Sequence, residues 1–477
     1  MKTYPHPLLS LAVSLLFSAS LAAQQPDPFV AVRAPVVALI HARVIDGRGH
    51  APIENQTLIL RDGKIASISP DASALVPAGA TTLDLTGKTV LPGLVMLHEH
   101  MIFTSMASPN AQRHFGEMDY SFPRLYLACG LTTIRTGGCF EPYTDLEIKA
   151  RVNAGVMPGP KIHLTAPYLE GAPSIIPQLH PVDSPEDAVR QVNFWADKGF
   201  TSFKCYMHLP REMMQAVIGA AHQRGLKVTG HIGAVTYRVA AELGIDNLEH
   251  GFYAATDFVR GKKTDELPAP ALVAGSQYEL DLNSPEVAAL IALLVGKHVA
   301  LTSTLPVFEA YVPGRPLLGA RELESFSALS RENYLKFWAR YNGPNDGRGV
   351  AVWKKMLALE KKFFDAGGLL VAGTDPTGYG ATIAGFGSQR ELELLVEAGL
   401  TPIEAIQVAS YNGARLLGVE KDVGSIEPGK AADLVIVNGD PAKNISDIRQ
   451  TETVFKDGVG YDSQKLIDSV KGCVGIQ

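Results

Sequence analysis

Residues 91–101 read LPGLVMLHEHM. An apolar run opens with Pro92-Gly93 and closes on two histidines, His98 and His100, one residue apart. A β-strand alternates its faces, so both imidazoles point to the same side. Two neutral imidazoles on one face can hold a cation between them. A lone H-x-H is more often a strand end satisfied by hydrogen bonds, so the rest of the chain decides its meaning.

Outward from this stretch, apolar β-like runs recur at 131–136, 161–167, 201–207, 226–232, 245–250, 299–305 and 369–375, with helical stretches between most of them. Several helix starts are legible. Ser184-Pro185-Glu186-Asp187 offers an N-cap, a proline in the first turn and two acids, and Ser284-Pro285-Glu286 repeats the pattern. Thr401-Pro402-Ile403-Glu404 is a capping box. With the run at 91–98, eight apolar strands alternate with helices, which predicts an α/β fold, a (β/α)8 TIM barrel over 91–415. A doubly wound sheet also alternates, but no glycine-rich phosphate loop follows a strand.

Both flanks of this region are β-rich. VVALIHARVIDGRG (36–49) and QTLILRDGKIASI (56–68) precede it, with a tight hairpin expected at Asp62-Gly63 and a turn at Thr86-Gly87. GSIEPGKAADLVIVNGDP (424–441) follows it, punctuated by Pro428-Gly429 and Asn438-Gly439. Residues 35–90 plus 416–465 are therefore expected to build a small β-sandwich from both chain ends.

The first 23 residues, MKTYPHPLLSLAVSLLFSASLAA, carry Lys2, an apolar run from Leu8 and small residues up to Ala23. That is the layout of a secretory signal peptide, with cleavage near Ala22 or Ala23. The run falls short of the ~20 residues a membrane span needs. The expectation is an exported protein, periplasmic or secreted, with no membrane attachment after signal removal.

The 477 residues are 46% apolar with a net charge of −6, enough chain for a large core. No basic cluster marks a nucleic-acid binder. The four cysteines, Cys129, Cys139, Cys205 and Cys473, are too scattered for a disulfide framework or a zinc ribbon.

In such barrels chemistry collects at the C-terminal ends of the strands. The first run ends in His98 and His100. The fourth carries Lys204, the fifth His231, the sixth His250 and the eighth Asp375. Six metal-competent groups converging on one mouth are hard to explain as unrelated core residues.

The chain resembles the metal-dependent amidohydrolase superfamily, and within it the branch of imidazolonepropionase-like proteins and Xaa-Pro dipeptidases. The residues that carry the resemblance are PGLVMLHEH (92–100), GLTTIRTGG (130–138), SFKCYM (202–207), VTGHIG (228–233), GIDNLEHG (244–251), VAGTDP (371–376), ELELLVEAGLTPIEAIQVASYNGARLLG (391–418) and GSIEPGKAADLVIV (424–437). Their order, over nearly the whole chain after residue 23, is what makes the likeness specific.

The resemblance implies a binuclear site. His98, His100 and Asp375 match the ligands of the more buried ion, and His231 and His250 those of the other. Lys204 matches a lysine that is carboxylated in this branch and bridges both ions, usually zinc. The implied reaction is hydrolysis of an amide C–N bond, in a dipeptide or N-acyl amino acid, by hydroxide on the metal pair. Asp375 would shuttle the proton. Esters, lactones and carbamates are alternatives on the same site. A mononuclear deaminase fits less well because such sites usually lack the lysine, and a non-catalytic barrel would have lost ligands. The expected partner is a small-molecule substrate, with a homo-oligomer possible.

Two positions depart from the pattern: Met96 stands where an aspartate is frequent, and Thr136 follows Arg135 where an aspartate is usual. Gly233 stands where dipeptidase relatives often carry a tyrosine. Tyr206, two residues past Lys204, faces the same side and either replaces it catalytically or packs. Arg135 is expected to brace strands rather than to bind a substrate carboxylate. The connections 252–298 and 306–368 are long, and the second is rich in aromatic residues, among them Phe308, Tyr311, Phe337 and Tyr341. They are either lids for a bulky apolar group or extra helices.

Overall fold

The computed structural model describes residues 27–104, 115–174, 176 and 178–475. The expected signal peptide lies outside the described residues.

Eight short parallel strands position the site. They are β1 (Leu94–Glu99), β2 (Leu131–Thr136), β3 (Lys161–His163), β4 (Ser202–Cys205), β5 (Lys227–Gly230), β6 (Asn247–Glu249), β7 (Ala300–Ser303) and β8 (Leu370–Ala372). β1, β2 and β3 form one sheet and β4 to β8 another, each in sequence order. Every residue of β1 and β2 is buried. Strands covered on both faces read as continuous apolar runs, which is why the runs rather than alternation marked them.

The two sheets approach at both edges. Beyond β3, parallel bridges pair Thr165 with Ser202 and Leu169 with Cys205. The Leu169 N–H donates to the Lys204 carbonyl at 2.9 Å. On the other side the Asp375 N–H donates to the His98 carbonyl at 2.9 Å. Gly373 permits that approach, since a Cβ there would lie 2.5 Å from His98 Cβ.

Helices cover the outside, and their starts follow the sequence. Ser184 Oγ accepts from the Asp187 N–H, Ser284 from the Val287 N–H, and Thr401 with Glu404 forms a reciprocal capping box. The long connections are largely helical. Pro270–Glu279 and Pro285–Gly296 occupy the first; Leu305–Glu309, Ala320–Ser325, Ala328–Tyr341 and Arg348–Asp365 occupy the second. Among the described residues no helix is long and apolar enough to cross a membrane.

A nine-stranded mixed sheet joins the chain ends. Its seam is the antiparallel pairing of Thr89–Pro92 with Leu434–Val437, in the register Leu434 to Pro92. The hairpin between Ile53–Arg61 and Lys64–Pro70 turns at Asp62 (φ 51°) and Gly63 (φ 75°), two left-handed residues as a type I′ turn needs. Lys161 Nζ, on β3, lies 2.7 Å from both Asp433 and Asp457, tying this sheet to the parallel strands.

Candidate metal centre

His98 and His100 stand where β1 ends, and Asp375 follows β8 three residues beyond Ala372. One ligand atom from each of the three lies within 4.8 Å of the others. Hydrogen bonds fix both rings. His98 Nδ1 is 2.7 Å from Glu249 Oε2, and His100 Nδ1 is 3.0 Å from the Gly138 carbonyl. A carbonyl and an ionised carboxylate only accept, so each Nδ1–H donates and each Nε2 keeps its lone pair. Burial opposes the charge on Glu249, yet His98 and Arg135 hold its carboxyl well below the usual range.

His100 Nε2 then faces Asp375 Oδ1 at 3.2 Å, and His98 Nε2 faces it at 3.7 Å. His100 Nε2 is buried without a hydrogen-bond partner of acceptable geometry. Lone pairs opposed to a carboxylate repel each other. A shared divalent cation would turn that repulsion into coordination, so these residues fit a metal.

The other candidate ligands adjoin this group. Lys204 Nζ is 3.1 Å from His98 Nε2. The His250 ring lies 4.6 Å from that of His98 and 4.3 Å from that of His231, centroid to centroid. His250 Nδ1 pairs with Thr304 Oγ1 at 2.8 Å. His250 (φ 68°) and Asp375 (φ 54°) both hold left-handed backbone that non-glycine residues seldom adopt. Such strain concentrates at functional sites. Burial keeps three of the imidazoles neutral, with His100 pulled down to about 4, His231 to about 3 and His250 well below its ordinary value. Burial also lowers Lys204 to about 8, against the pull of Glu249 and Asp375. A neutral amine is thus accessible near neutral pH.

Above the ligands opens a cavity of about 300 Å³, lined by Lys204, His231, His250 and Asp375 on its polar side. Tyr206 lines it too, its ring edge-on to His231 at 5.2 Å. All six sequence-derived ligand candidates therefore meet, with Tyr206 beside them. Arg135 does not reach the cavity. It is buried and donates to the Leu97 carbonyl, Asn247 Oδ1 and Glu249 Oε1, the bracing role expected for it. Met96 is buried in the core, and Thr136 Oγ1 accepts from the Thr165 N–H, so neither departure touches the cavity. Phe308 and Tyr311 line the cavity, whereas Trp353 and Tyr334 are buried elsewhere in the helical connection.

Sequence reasoning missed Glu249, Thr304 and Tyr168. Glu249 was detectable as a charged residue inside an apolar run, beside His250. Thr304 and Tyr168 carried no local signal, because their roles arise from contacts between strands. A second group, His180, Asp183 and Asp187, also brings ligand atoms within 4.8 Å. Asp187 there already binds Arg190 and Gln191, and the other two side chains are exposed.

Residues 351–460 match the model of the amidohydrolase family. Over that segment the chain is similar to the amidohydrolase family. The matched segment contains β8 and Asp375; the four histidines and Lys204 precede it. Imidazolonepropionase of Geobacillus kaustophilus is 24% identical over 85% of this chain and 90% of its own length. Adenine deaminase 3 of Rhizobium meliloti is 30% identical, but over 31% of this chain and 24% of its own length. The chain thus matches only about a quarter of that deaminase. A prolidase candidate of Bifidobacterium longum has a solved structure with a TM-score of 0.64 and 26% identity, over 93% of this chain and 100% of that one. The relatives of the chain include hydrolases that act on carbon–nitrogen bonds.

Proposed function

We propose that the protein is a binuclear metal-dependent hydrolase that cleaves an amide C–N bond of a small molecule. The observation that carries this reading is the facing of His100 Nε2 and Asp375 Oδ1 at 3.2 Å, with Lys204 against His98 beside them. His98, His100 and Asp375 would hold one divalent ion, and His231 and His250 the other. Imidazole and carboxylate donors suit zinc. Bound there, two such ions lower the pKa of a water and polarise a carbonyl.

The chain's own groups do the rest. Lys204, as a neutral amine, would add to carbon dioxide: an N–C bond forms, one N–H proton leaves to solvent, and an anionic carbamate with two oxygens remains to bridge. Asp375 lines the cavity, 17% exposed, and would take a proton from the attacking water and return it to the leaving nitrogen. The Tyr206 phenol, which lines the cavity, would support a developing oxyanion. Glu249 and the Gly138 carbonyl hold His98 and His100 in one tautomer.

The remaining expectations belong to the same reading. The eight parallel strands close into a (β/α)8 barrel over 91–415, supported by the contacts at both edges. Residues 35–90 plus 416–465 form the β-sandwich, the first 23 residues direct export to the periplasm or beyond, and the protein acts on a small molecule. Dipeptides and N-acyl amino acids are the first substrates to screen. Esters, lactones and carbamates present the same activated carbonyl. The resemblance to adenine deaminases suggests a deaminase, but the buried Lys204 favours the two-ion hydrolase.

The test is to load purified protein with zinc and measure both metal content and amine release from N-acyl substrates. Two ions per chain, with release that Asp375→Asn abolishes, is the expected result. One ion or none after supplementation would sink the binuclear reading.

A further inference from the structure

A second cavity, of about 280 Å³, backs onto the first. Its described lining lies in residues 306–342 and 380–390 and at Arg449, and includes none of the metal-ligand candidates. Two segments part the cavities. The helix Leu305–Glu309 turns Val307 and Phe308 to the first cavity and Pro306 and Glu309 to the second. The turn Tyr379–Ala381 likewise gives Tyr379 to the first and Gly380 and Ala381 to the second. Their backbones touch: a Cβ on Gly380 would lie 2.3 Å from the Val307 carbonyl oxygen. Both segments start from the metal centre. Thr304, which pairs with His250 Nδ1 at 2.8 Å, directly precedes the helix, and Asp375 precedes the turn.

Tyr334, Trp338 and Phe386 bring three rings to the second cavity, and Leu317, 41% exposed, stands at its rim. The rim is tied down: the Leu318 N–H donates to the Tyr334 hydroxyl at 2.9 Å, and Trp338 Nε1–H donates to the Arg315 carbonyl at 3.4 Å. The arginines that face the cavity are paired with carboxylates. Arg315 and Arg390 each lie 2.7 Å from Glu309, and Arg449 lies 2.8 Å from Glu322. These charges offset one another, so ring faces and a hydroxyl are what a guest meets. The hydroxyl is that of Thr382, which is 5% exposed; its Oγ1 is buried without a hydrogen-bond partner among the described residues. Leaving such a group unpaired is costly, so a guest that bonds to it binds the tighter. Apolar cavities of about 150 Å³ hold one benzene ring, and this larger one has room for two fused rings.

We propose that the second cavity is an effector site: it binds a neutral, fused-ring aromatic molecule whose polar group pairs with Thr382, and so steadies the wall shared with the first cavity. Tyr334, Trp338 and Phe386 take the guest by edge and offset contacts. A guest packed against Pro306, Gly380 and Ala381 holds both segments of the wall. That fixes Asp375 and, through Thr304, the His250 ring. Ligands already ordered lose less freedom on taking an ion, so guest and metal favour each other by the same factor. The metal centre is needed for this coupling; its reaction is not.

Indole is the probe, with 1-methylindole lacking the N–H and indole-3-acetate adding a charge. Isothermal titration into the full chain should show indole binding at least threefold tighter than either control. No binding of indole, or a smaller difference, overturns the proposal. Thr382→Val keeps the volume and removes the hydroxyl. It should weaken indole at least threefold, leave 1-methylindole within twofold, and not lower the unfolding temperature. An unchanged indole Kd places the probe elsewhere and overturns the site. Leu317→Trp, at the exposed rim, should block indole and serves as the second variant if Thr382→Val does not fold; full binding in it also overturns the site. Competition with a chelating dye reads the coupling. Saturating indole should tighten zinc at least threefold in wild type and not in Leu317→Trp. Unchanged or weaker zinc binding overturns the effector role. If the protein takes up no zinc, the metal reading and the coupling fall together, while the titrations still decide the site.

Discussion

Arg135 and His98 are joined through one carboxylate: Glu249 Oε1 lies 2.7 Å from Arg135 Nη2, and its Oε2 lies 2.7 Å from His98 Nδ1. All three side chains are essentially without solvent contact. Glu249→Gln keeps the shape but strands a buried guanidinium. Breaking such a pair costs about 3–5 kcal/mol. The loss of a carboxylate behind a ligating histidine lowers metal affinity about 10–100-fold. Denaturant unfolding and competition with a chelating dye measure the two effects. Wild-type values of both would show that Glu249 neither braces the core nor sets the His98 tautomer.

Asp375→Asn separates ligation from proton transfer. The amide oxygen can still face His100 and His98, but it cannot accept and return a proton. Turnover should fall by about 10²–10⁴, the usual contribution of a general acid–base group. Circular dichroism and thermal unfolding should stay close to wild type. Near-full activity on a confirmed substrate would remove Asp375 from its role.

Lys204→Ala probes the bridge. With the amine at about 8, carbon dioxide can capture the neutral form at neutral pH. The variant should lose metal and activity together, and short carboxylic acids should restore part of both by supplying two oxygens. Intact-mass or density data showing an unmodified lysine in fully metallated, active enzyme would rule the carbamate out.

The candidate ligands were legible because they lie in or just beyond apolar strands. His98, His100, His231, His250 and Asp375 end or follow an apolar run, Lys204 sits inside one, and such runs are detectable without neighbours. The eight strand positions were legible for the same reason, although β3 and β8 are shorter than their apolar runs. Glu249 stood out only as a charged residue inside an apolar run; its role lies in Arg135 and His98, more than a hundred residues away. Other rings that line the cavity were hidden. Phe115, Phe140 and Tyr168 come from three separate connections, and only the fold brings them together. The connection 306–368 announced aromatic residues without showing which line the cavity: Phe308 and Tyr311 do, while Trp353 packs in the core.

Export makes a separate prediction. Small residues precede both candidate bonds, so the mature chain should begin at Ala23 or Gln24. Intact-mass measurement of protein from the native host decides it. Retention of Met1 and Lys2 there would refute the signal peptide.

A last prediction concerns pH and stability away from the ligands. Glu360 and Glu391 are both fully buried beneath the C-terminal end of β7, where Glu360 Oε2 accepts from Ser303 Oγ at 2.6 Å and Glu391 Oε2 accepts from the Leu305 N–H at 3.0 Å. Burial raises Glu360 to about 7, against the Ser303 hydrogen bond, and raises Glu391 well above its ordinary value. A raised carboxyl favours the protonated folded state. Its stabilisation is complete below the unfolded value near 4.5 and is lost as pH rises through about 7. Glu360→Gln cannot ionise, so it should escape that loss. Its stability relative to wild type should rise between pH 5 and pH 8 by about 1–3 kcal/mol. Urea unfolding of both proteins at the two pH values measures the change. A difference that stays constant with pH would mean that Glu360 is already ionised in the folded protein, with a cation or water reaching it.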